Sequence, residues 1–250
     1  MRKLLHQRLS KKEICLGTII SIPSPETAEV LALCDFDWLF IDMEHGAFDI
    51  AALQGILQAV AGRTPCLVRV PSLDEAWIKK SLDCGADGII IPHISSAGEA
   101  EKAVAYCKYP PVGTRSVGLA RAQGYGTSFA SYLDRANSDV AVVLQIEHID
   151  AVSRIEEIVR VEGIDCLFVG PYDLSASMGL TGRVQDPKVV EAMTTVFRCA
   201  SAAKVSLGIF VATRDEAPSH IKTGYTLIAV GVDMMLLSGA AQRIVDTLRK

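Results

Sequence analysis

The feature that most narrows the choice of fold is an alternation running the length of the chain. Short apolar, β-branched runs fall near 15–20, 38–42, 66–70, 88–91, 140–146, 166–169, 206–211 and 226–230. Amphipathic stretches separate them, near 25–34, 49–61, 74–84, 96–107, 149–160, 187–203 and 214–223, with a last one at 233–248. A run of four to six apolar residues bounded by turn residues reads as a strand covered on both faces, and such strands belong to parallel sheets. Eight strand–helix units in 250 residues predict a (β/α)₈ barrel, class α/β, built as a single domain over 1–250.

The junctions agree. Gly85-Ala-Asp-Gly, Gly163-Ile-Asp-Cys and Gly224-Tyr-Thr-Leu each turn a helix end directly into a strand, with glycine in the left-handed conformation that stops a helix. Ser24-Pro25-Glu26 and Asp186-Pro187 supply helix caps followed by proline in the first turn. Only 109–139 breaks the rhythm, with Pro110, Pro111 and four glycines, and it reads as a long loop of the kind that often serves as a lid.

Bulk properties exclude several classes. Half of the residues are hydrophobic, so a large core is available, yet no run of eighteen apolar residues exists to span a membrane. The first ten residues lack a long apolar segment and a cleavage site, which argues against secretion. A net charge of −4 without a basic block gives nucleic-acid binding no support. The seven cysteines are scattered and form no CxxC pair, so they read as small hydrophobes in a reducing cytoplasm.

In such a barrel, chemistry sits at the C-terminal ends of the strands. The fifth run, Val140–His148, opens apolar and then places Gln145 and Glu147 on the same face. If the strand ends there, Glu147 is simply in solvent; if it continues, an interior carboxylate needs a partner or a metal. Asp173, just past the sixth run, is a second carboxylate in a similar place, and the pair can converge on a hard divalent cation. Other strand ends bring Asp42-Met-Glu-His45, Arg69, His93, Phe210 and Asp233. Taken singly, Arg69 reads as a rim salt bridge, His45 as a loop histidine and His93 as a wall or network residue. Glu44 reads as solvent-facing or capping, Asp233 as the cap of the last helix, and His148 as structural. Their meeting at one rim is what separate readings leave unexplained.

Phe40-Ile-Asp-Met-Glu-His-Gly46, Val68-Arg-Val-Pro71, Tyr109-Pro-Pro-Val-Gly-Thr-Arg115, Leu144-Gln-Ile-Glu147 and Val169-Gly-Pro-Tyr-Asp-Leu-Ser175 together resemble the HpcH/HpaI aldolase/citrate lyase family. The resemblance covers nearly the whole chain and keeps motif order and spacing. It implies a class II aldolase, dependent on a divalent metal (Mg²⁺, Mn²⁺ or Co²⁺), that reversibly cleaves a 4-hydroxy-2-oxo acid to pyruvate and an aldehyde. It also implies a homohexamer, a trimer of dimers, in which the C-terminal helix packs on a neighbouring barrel. Position by position, Glu147 and Asp173 are then metal ligands, Arg69 contacts the keto or enolate oxygen, and His45 is the base, oriented by Asp83. Gln145 and Asp42 support or contact the substrate, and Gly170 and Tyr172 belong to the turn that receives the pyruvate carboxylate. The chain departs from the family in a slightly shorter stretch after Arg115. Phe210, a candidate aldehyde contact, stands where smaller aliphatics are common, and His93 replaces an apolar residue. A Schiff-base mechanism is set aside because Lys79, Lys80, Lys108 and Lys204 all fall away from strand C-termini. A citrate-synthase-like or citryl-lyase enzyme on the same site, or a keto-acid-binding barrel without turnover, stays open as an alternative.

Overall fold

Eight parallel strands close on themselves in chain order: β1 (Cys15–Ile20), β2 (Trp38–Asp42), β3 (Cys66–Arg69), β4 (Gly88–Ile91), β5 (Ala141–Ile146), β6 (Cys166–Val169), β7 (Ser206–Val211) and β8 (Leu227–Val232). This computed structural model describes residues 4–249; Met1–Lys3, part of the N-terminal stretch read above, and Lys250 lie outside the described residues. The strands coincide with the expected runs to within two residues at any end, because each is a short β-branched segment between turn residues. The result is the (β/α)₈ barrel that the alternation predicts.

Around the barrel lie α2 (Pro25–Ala32), α3 (Ile50–Ala59), α4 (Glu75–Asp83), α5 (Ala97–Cys107), α10 (Pro187–Ala202), α11 (Ala217–Thr223) and α12 (Asp233–Leu248). Capping fixes their starts: Ser24, Asp49, Asp74, Ser96 and Asp186 each accept a backbone N–H of the first turn with the side chain. The expected helix at 149–160 is two short ones, α7 (Ile149–Ser153) and α8 (Ile155–Ile158), broken where Arg154 leaves helical geometry at ψ 14°.

Strand side chains alternate between two cores. Outward residues such as Ile41, Val68, Ile89, Val142 and Ile209 pack against the helices. Inward residues fill the barrel, where Trp38, Phe40 and Phe168 lie with ring centroids 5.7–6.3 Å apart. The rings leave no room beside them: a Cβ at Gly208 would sit 2.5 Å from the Phe168 ring.

Four elements were not legible as such. α1 (Leu5–Ser10) buries Leu5 and Leu9 against the inner core, and the Ser206 hydroxyl at the start of β7 donates to the Leu9 carbonyl at 2.7 Å. The 109–139 stretch holds a 3₁₀ segment (Arg121–Gly126) and α6 (Phe129–Asp139). It is not a lid over the strand C-termini. Lys108 Nζ donates to the Asn137 and Val140 carbonyls, and Arg121 donates to the carbonyl of Cys84, in the turn that leads into β4. The excursion therefore lies at the N-terminal end of the barrel. The fourth element, α9 (Pro171–Ser177), follows β6 directly. Among the described residues no helix is long and apolar enough to cross a membrane.

Candidate active site

The C-terminal end of β2 starts the site. Asp42 and Arg69 are register partners on adjacent strands, and both side chains point inward. The buried carboxylate of Asp42 takes Arg69 Nε at 2.9 Å and Nη2 at 2.7 Å, a two-pronged pairing. The same carboxylate accepts the backbone N–H groups of Glu44 at 3.1 Å and His45 at 3.3 Å. One side chain thus neutralises Arg69 and winds the following turn back over it. Gly46 closes that turn, its N–H bonded to the Asp42 carbonyl at 3.2 Å. A Cβ there would lie 2.4 Å from that oxygen, so only glycine fits.

Arg69 is buried and lies over the Phe40 ring, its guanidinium carbon 5.2 Å from the centroid. Its Nη1 is 3.0 Å from Glu44 Oε2 and donates to Gln145 Oε1 at 3.4 Å. Burial alone would lower its pKa; the Asp42 hydrogen bonds and the charges of Asp42, Glu44 and Glu147 outweigh this and raise it. The cation is permanent.

Across the mouth, β5 continues inward-facing through Gln145 to Glu147. Glu147 is buried, as the interior reading requires and the solvent reading does not. Its Oε2 accepts the Gln145 amide, and its Oε1 accepts the His93 backbone N–H at 2.8 Å. His93 holds a left-handed φ of 57°, which brings its ring between two carboxylates: Nδ1 is 3.0 Å from Glu147 Oε1 and Nε2 is 2.9 Å from Glu44 Oε1. Ligand atoms of Glu44, His93 and Glu147 all lie within 4.8 Å of one another, a group that can hold a metal ion. Burial raises the Glu147 pKa, the His93 N–H and ring counteract, and the charges of Glu44 and Asp173 raise it further.

The remaining residues sort by position. His45 sits on the β2–α3 turn with 66% of its side chain exposed and Nε2 3.9 Å from Glu44 Oε2. Asp173 is exposed in the first turn of α9 and lies outside the Glu44–His93–Glu147 group, although Glu147 feels its charge. Gly170 caps α9, and a Cβ on it would come within 3.2 Å of Glu147. Tyr172 and Phe210 form an aromatic pair with centroids 6.1 Å apart.

Two expectations need correction. Asp83 does not orient His45 within one chain. It ends α4, which runs antiparallel to the strands, so it faces the opposite end of the barrel and pairs with Arg115 Nη2 at 2.7 Å. Glu44 neither faces solvent nor caps a neighbour: only 10% of its side chain is exposed, between Arg69 and His93. Sequence reasoning underrated both Glu44 and His93, and the available signal was their place at strand ends beside Asp42 and Pro92. His93 is a network histidine, as read. His148 caps α7, its Nδ1 accepting the Asp150 N–H, and Asp233 opens α12 while binding Ser21 and Ile22 of the β1 end.

The chain is similar to known proteins over nearly its whole length. A 5-keto-4-deoxy-D-glucarate aldolase from Shigella boydii is 36% identical over 244 residues, 97% of this chain and 95% of that protein. The structure of an HpcH/HpaI aldolase/citrate lyase family protein from Burkholderia cenocepacia J2315 superposes with a TM-score of 0.95 at 36% identity, covering 98% of this chain and 99% of that one. An HpcH/HpaI aldolase from Desulfitobacterium hafniense DCB-2 gives 0.92 at 28% identity over 99% and 97%. The family model for HpcH/HpaI aldolase/citrate lyase matches residues 19–240. From the barrel, the rim and these matches together, the chain belongs to the HpcH/HpaI aldolase/citrate lyase family.

Proposed function

We propose that this aldolase cleaves a 4-hydroxy-2-oxo acid reversibly to pyruvate and an aldehyde, with a divalent cation held at the barrel mouth. The observation that carries the reading is the pairing of a permanent cation with buried carboxylates at one rim: Arg69 beside Asp42, Glu44 and Glu147. The donor set fits a cation. Glu147 is buried with its pKa raised, and Glu44 Oε2 is buried without a hydrogen bond although Arg69 lies near it. Both are states that a bound cation relieves. Glu147 and Asp173 would hold the cation, with Glu44 and His93 beside Glu147 as further donor groups. When bound, the cation acts as a Lewis acid toward the 2-oxo acid.

The protein's own groups do the rest. His45, exposed at the mouth and held by its N–H to Asp42, takes the proton of the C4 hydroxyl. The C3–C4 bond breaks, its electron pair moves toward C2, and C4 leaves as the aldehyde carbonyl. Arg69 stands over the carbon skeleton as a fixed positive charge for the enolate oxygen, with its planar fork locked by Asp42 before substrate arrives. Protonation at C3 then gives pyruvate. The backbone N–H groups of Tyr172 and Asp173, which follow Gly170 and Pro171 at the start of α9, supply donors for the pyruvate carboxylate.

The exposed apolar residues of α12, among them Met235, Leu237 and Ile244, support assembly into a homo-oligomer, read as a hexamer from the family resemblance. Pyruvate release from 4-hydroxy-2-oxo acids, followed with Mg²⁺, Mn²⁺ or Co²⁺ and after chelation, tests the proposal. Turnover with added metal and none after chelation is expected; full activity of metal-stripped protein removes the metal from the reading.

A further inference from the structure

The residue two places past β4 is the part of the mouth that packing explains least. His93 stands between buried Pro92 and buried Ile94 and holds a left-handed φ of 57°, uncommon in a residue that carries a side chain. Its own side chain is 65% exposed, so burial does not hold the ring in place. Nor does Glu147 need the ring: its Oε1 already accepts the His93 backbone N–H at 2.8 Å, and its Oε2 accepts the Gln145 amide. The ring nevertheless stands with Nδ1 3.0 Å from Glu147 Oε1 and Nε2 2.9 Å from Glu44 Oε1. Glu44 is nine-tenths buried, and its Oε2 has no hydrogen-bond partner among the described residues.

We propose that His93 gives the mouth cation an imidazole nitrogen as a ligand beside the carboxylates, and that it turns the site's preference from Mg²⁺ toward Co²⁺, Ni²⁺ and Zn²⁺. This deepens the cation reading and rests on it. Ligand atoms that share one small divalent ion stand about 3 Å apart, the edge of an octahedron with arms of about 2.1 Å. Ring and carboxylates already have that spacing. One ring nitrogen takes the metal, and the other keeps a carboxylate as its hydrogen-bond acceptor, the usual way in which a ligating imidazole is oriented. Because the N–H of His93 itself grips Glu147, one peptide unit positions both the ring and the carboxylate, and the pair is formed in advance. Carboxylate oxygens alone suit Mg²⁺ and Mn²⁺, whereas imidazole suits the later divalent metals, whose affinity for nitrogen rises along the series toward copper. The other imidazole at the mouth, His45, lies outside the group whose ligand atoms come within 4.8 Å of one another.

Pulsed EPR of the Mn²⁺-loaded protein reads the ligand directly, through the coupling of a histidine nitrogen to the metal. The test variant is His93→Asn, since asparagine accepts a left-handed φ and keeps the N–H on Glu147 but offers no ring nitrogen. Nitrogen coupling is expected in the wild type and in His45→Ala, and should vanish in His93→Asn. Metal titrations should agree: His93→Asn should weaken Co²⁺ binding by about tenfold or more, the scale of loss on removing even a partner of a metal ligand, and leave Mg²⁺ binding nearly unchanged. Should the asparagine variant fail to fold, His93→Gly carries the same comparison, and added imidazole should then restore the coupling. Mn²⁺ binding that Glu147→Gln abolishes, but that shows no histidine coupling or keeps it in His93→Asn, overturns the role of His93 and leaves the cation reading standing. An equal loss of Co²⁺ and Mg²⁺ affinity does the same for the preference. Absence of Mn²⁺ binding, or binding indifferent to Glu147→Gln, overturns both.

Discussion

Asp42 does more for the mouth than its size suggests. It fixes the guanidinium of Arg69 and, through the same carboxylate, the peptide groups of Glu44 and His45. Arg69→Lys keeps a charge but loses the planar fork, so kcat should fall roughly a hundredfold, the usual loss on removing a donor to a developing oxyanion; near-normal kcat would reduce Arg69 to a rim salt bridge. His45→Ala should slow both cleavage and C3 proton exchange while leaving Mn²⁺ affinity almost unchanged, because its ring stands outside the Glu44–His93–Glu147 group. A Mn²⁺ titration that finds a large loss would make it a ligand. Glu147→Gln should abolish metal-dependent turnover and yet raise the melting temperature of the chelated protein, since burial and the charges of Glu44 and Asp173 outweigh the help that the carboxylate gets from His93. Unchanged melting would mean that His93 and Gln145 already compensate it. Most of these residues were visible in the sequence because strand ends are legible. Glu44 was not, because turn residues carry no periodicity and its burial comes from Arg69 and His93, distant in sequence. Asp83 was misplaced for a related reason: closeness along the chain to Arg69 hides the reversal of direction between β3 and α4.

The strands were read almost to the residue, since each is a β-branched run bounded by turn residues and hidden on both faces. α6 and the 3₁₀ segment were hidden by the prolines and glycines before them, and α1 by its shortness. α1 is tied down by more than its two leucines: His6 Nδ1 lies 2.6 Å from Asp165 Oδ1, whose other oxygen accepts the Val142 N–H at 2.7 Å. The Asp165 hydrogen bond raises the His6 pKa against the lowering effect of burial. The folded value lies above the unfolded 6.5, so the stabilisation is complete below about pH 6.5 and disappears as pH rises through the raised value. With part of the ring in water the effect is under about 1 kcal/mol, or about 1–3 °C in melting temperature for a chain of this length. Melting curves of wild type and His6→Gln at pH 5.5 and 8.5 should therefore converge at the higher pH. A gap that stays constant would make the contact purely one of packing.

As a molecule the protein has three unlike surfaces: a reactive mouth, a floor where α1 packs on the inner core, and one flank where α12 displays methionine, leucine and isoleucine side chains. Replacing Leu237 and Ile244 on α12 by aspartate should shift sedimentation toward smaller species while the barrel stays folded, because neither residue belongs to its core. Unchanged sedimentation would remove α12 from any assembly. The rings of Trp38, Phe40 and Phe168 have a further consequence. They fill the barrel directly beneath Arg69, whose guanidinium lies over the Phe40 ring. In the proposed reaction, solvent protons then reach pyruvate C3 from the mouth, the side that the aldehyde also uses. An aldehyde in place acts as a stopper: the enolate is shielded from quenching while its partner is present and becomes open to water when the partner departs. Product release is then ordered by the architecture itself, aldehyde first and pyruvate last, and excess aldehyde should arrest isotope wash-in at C3.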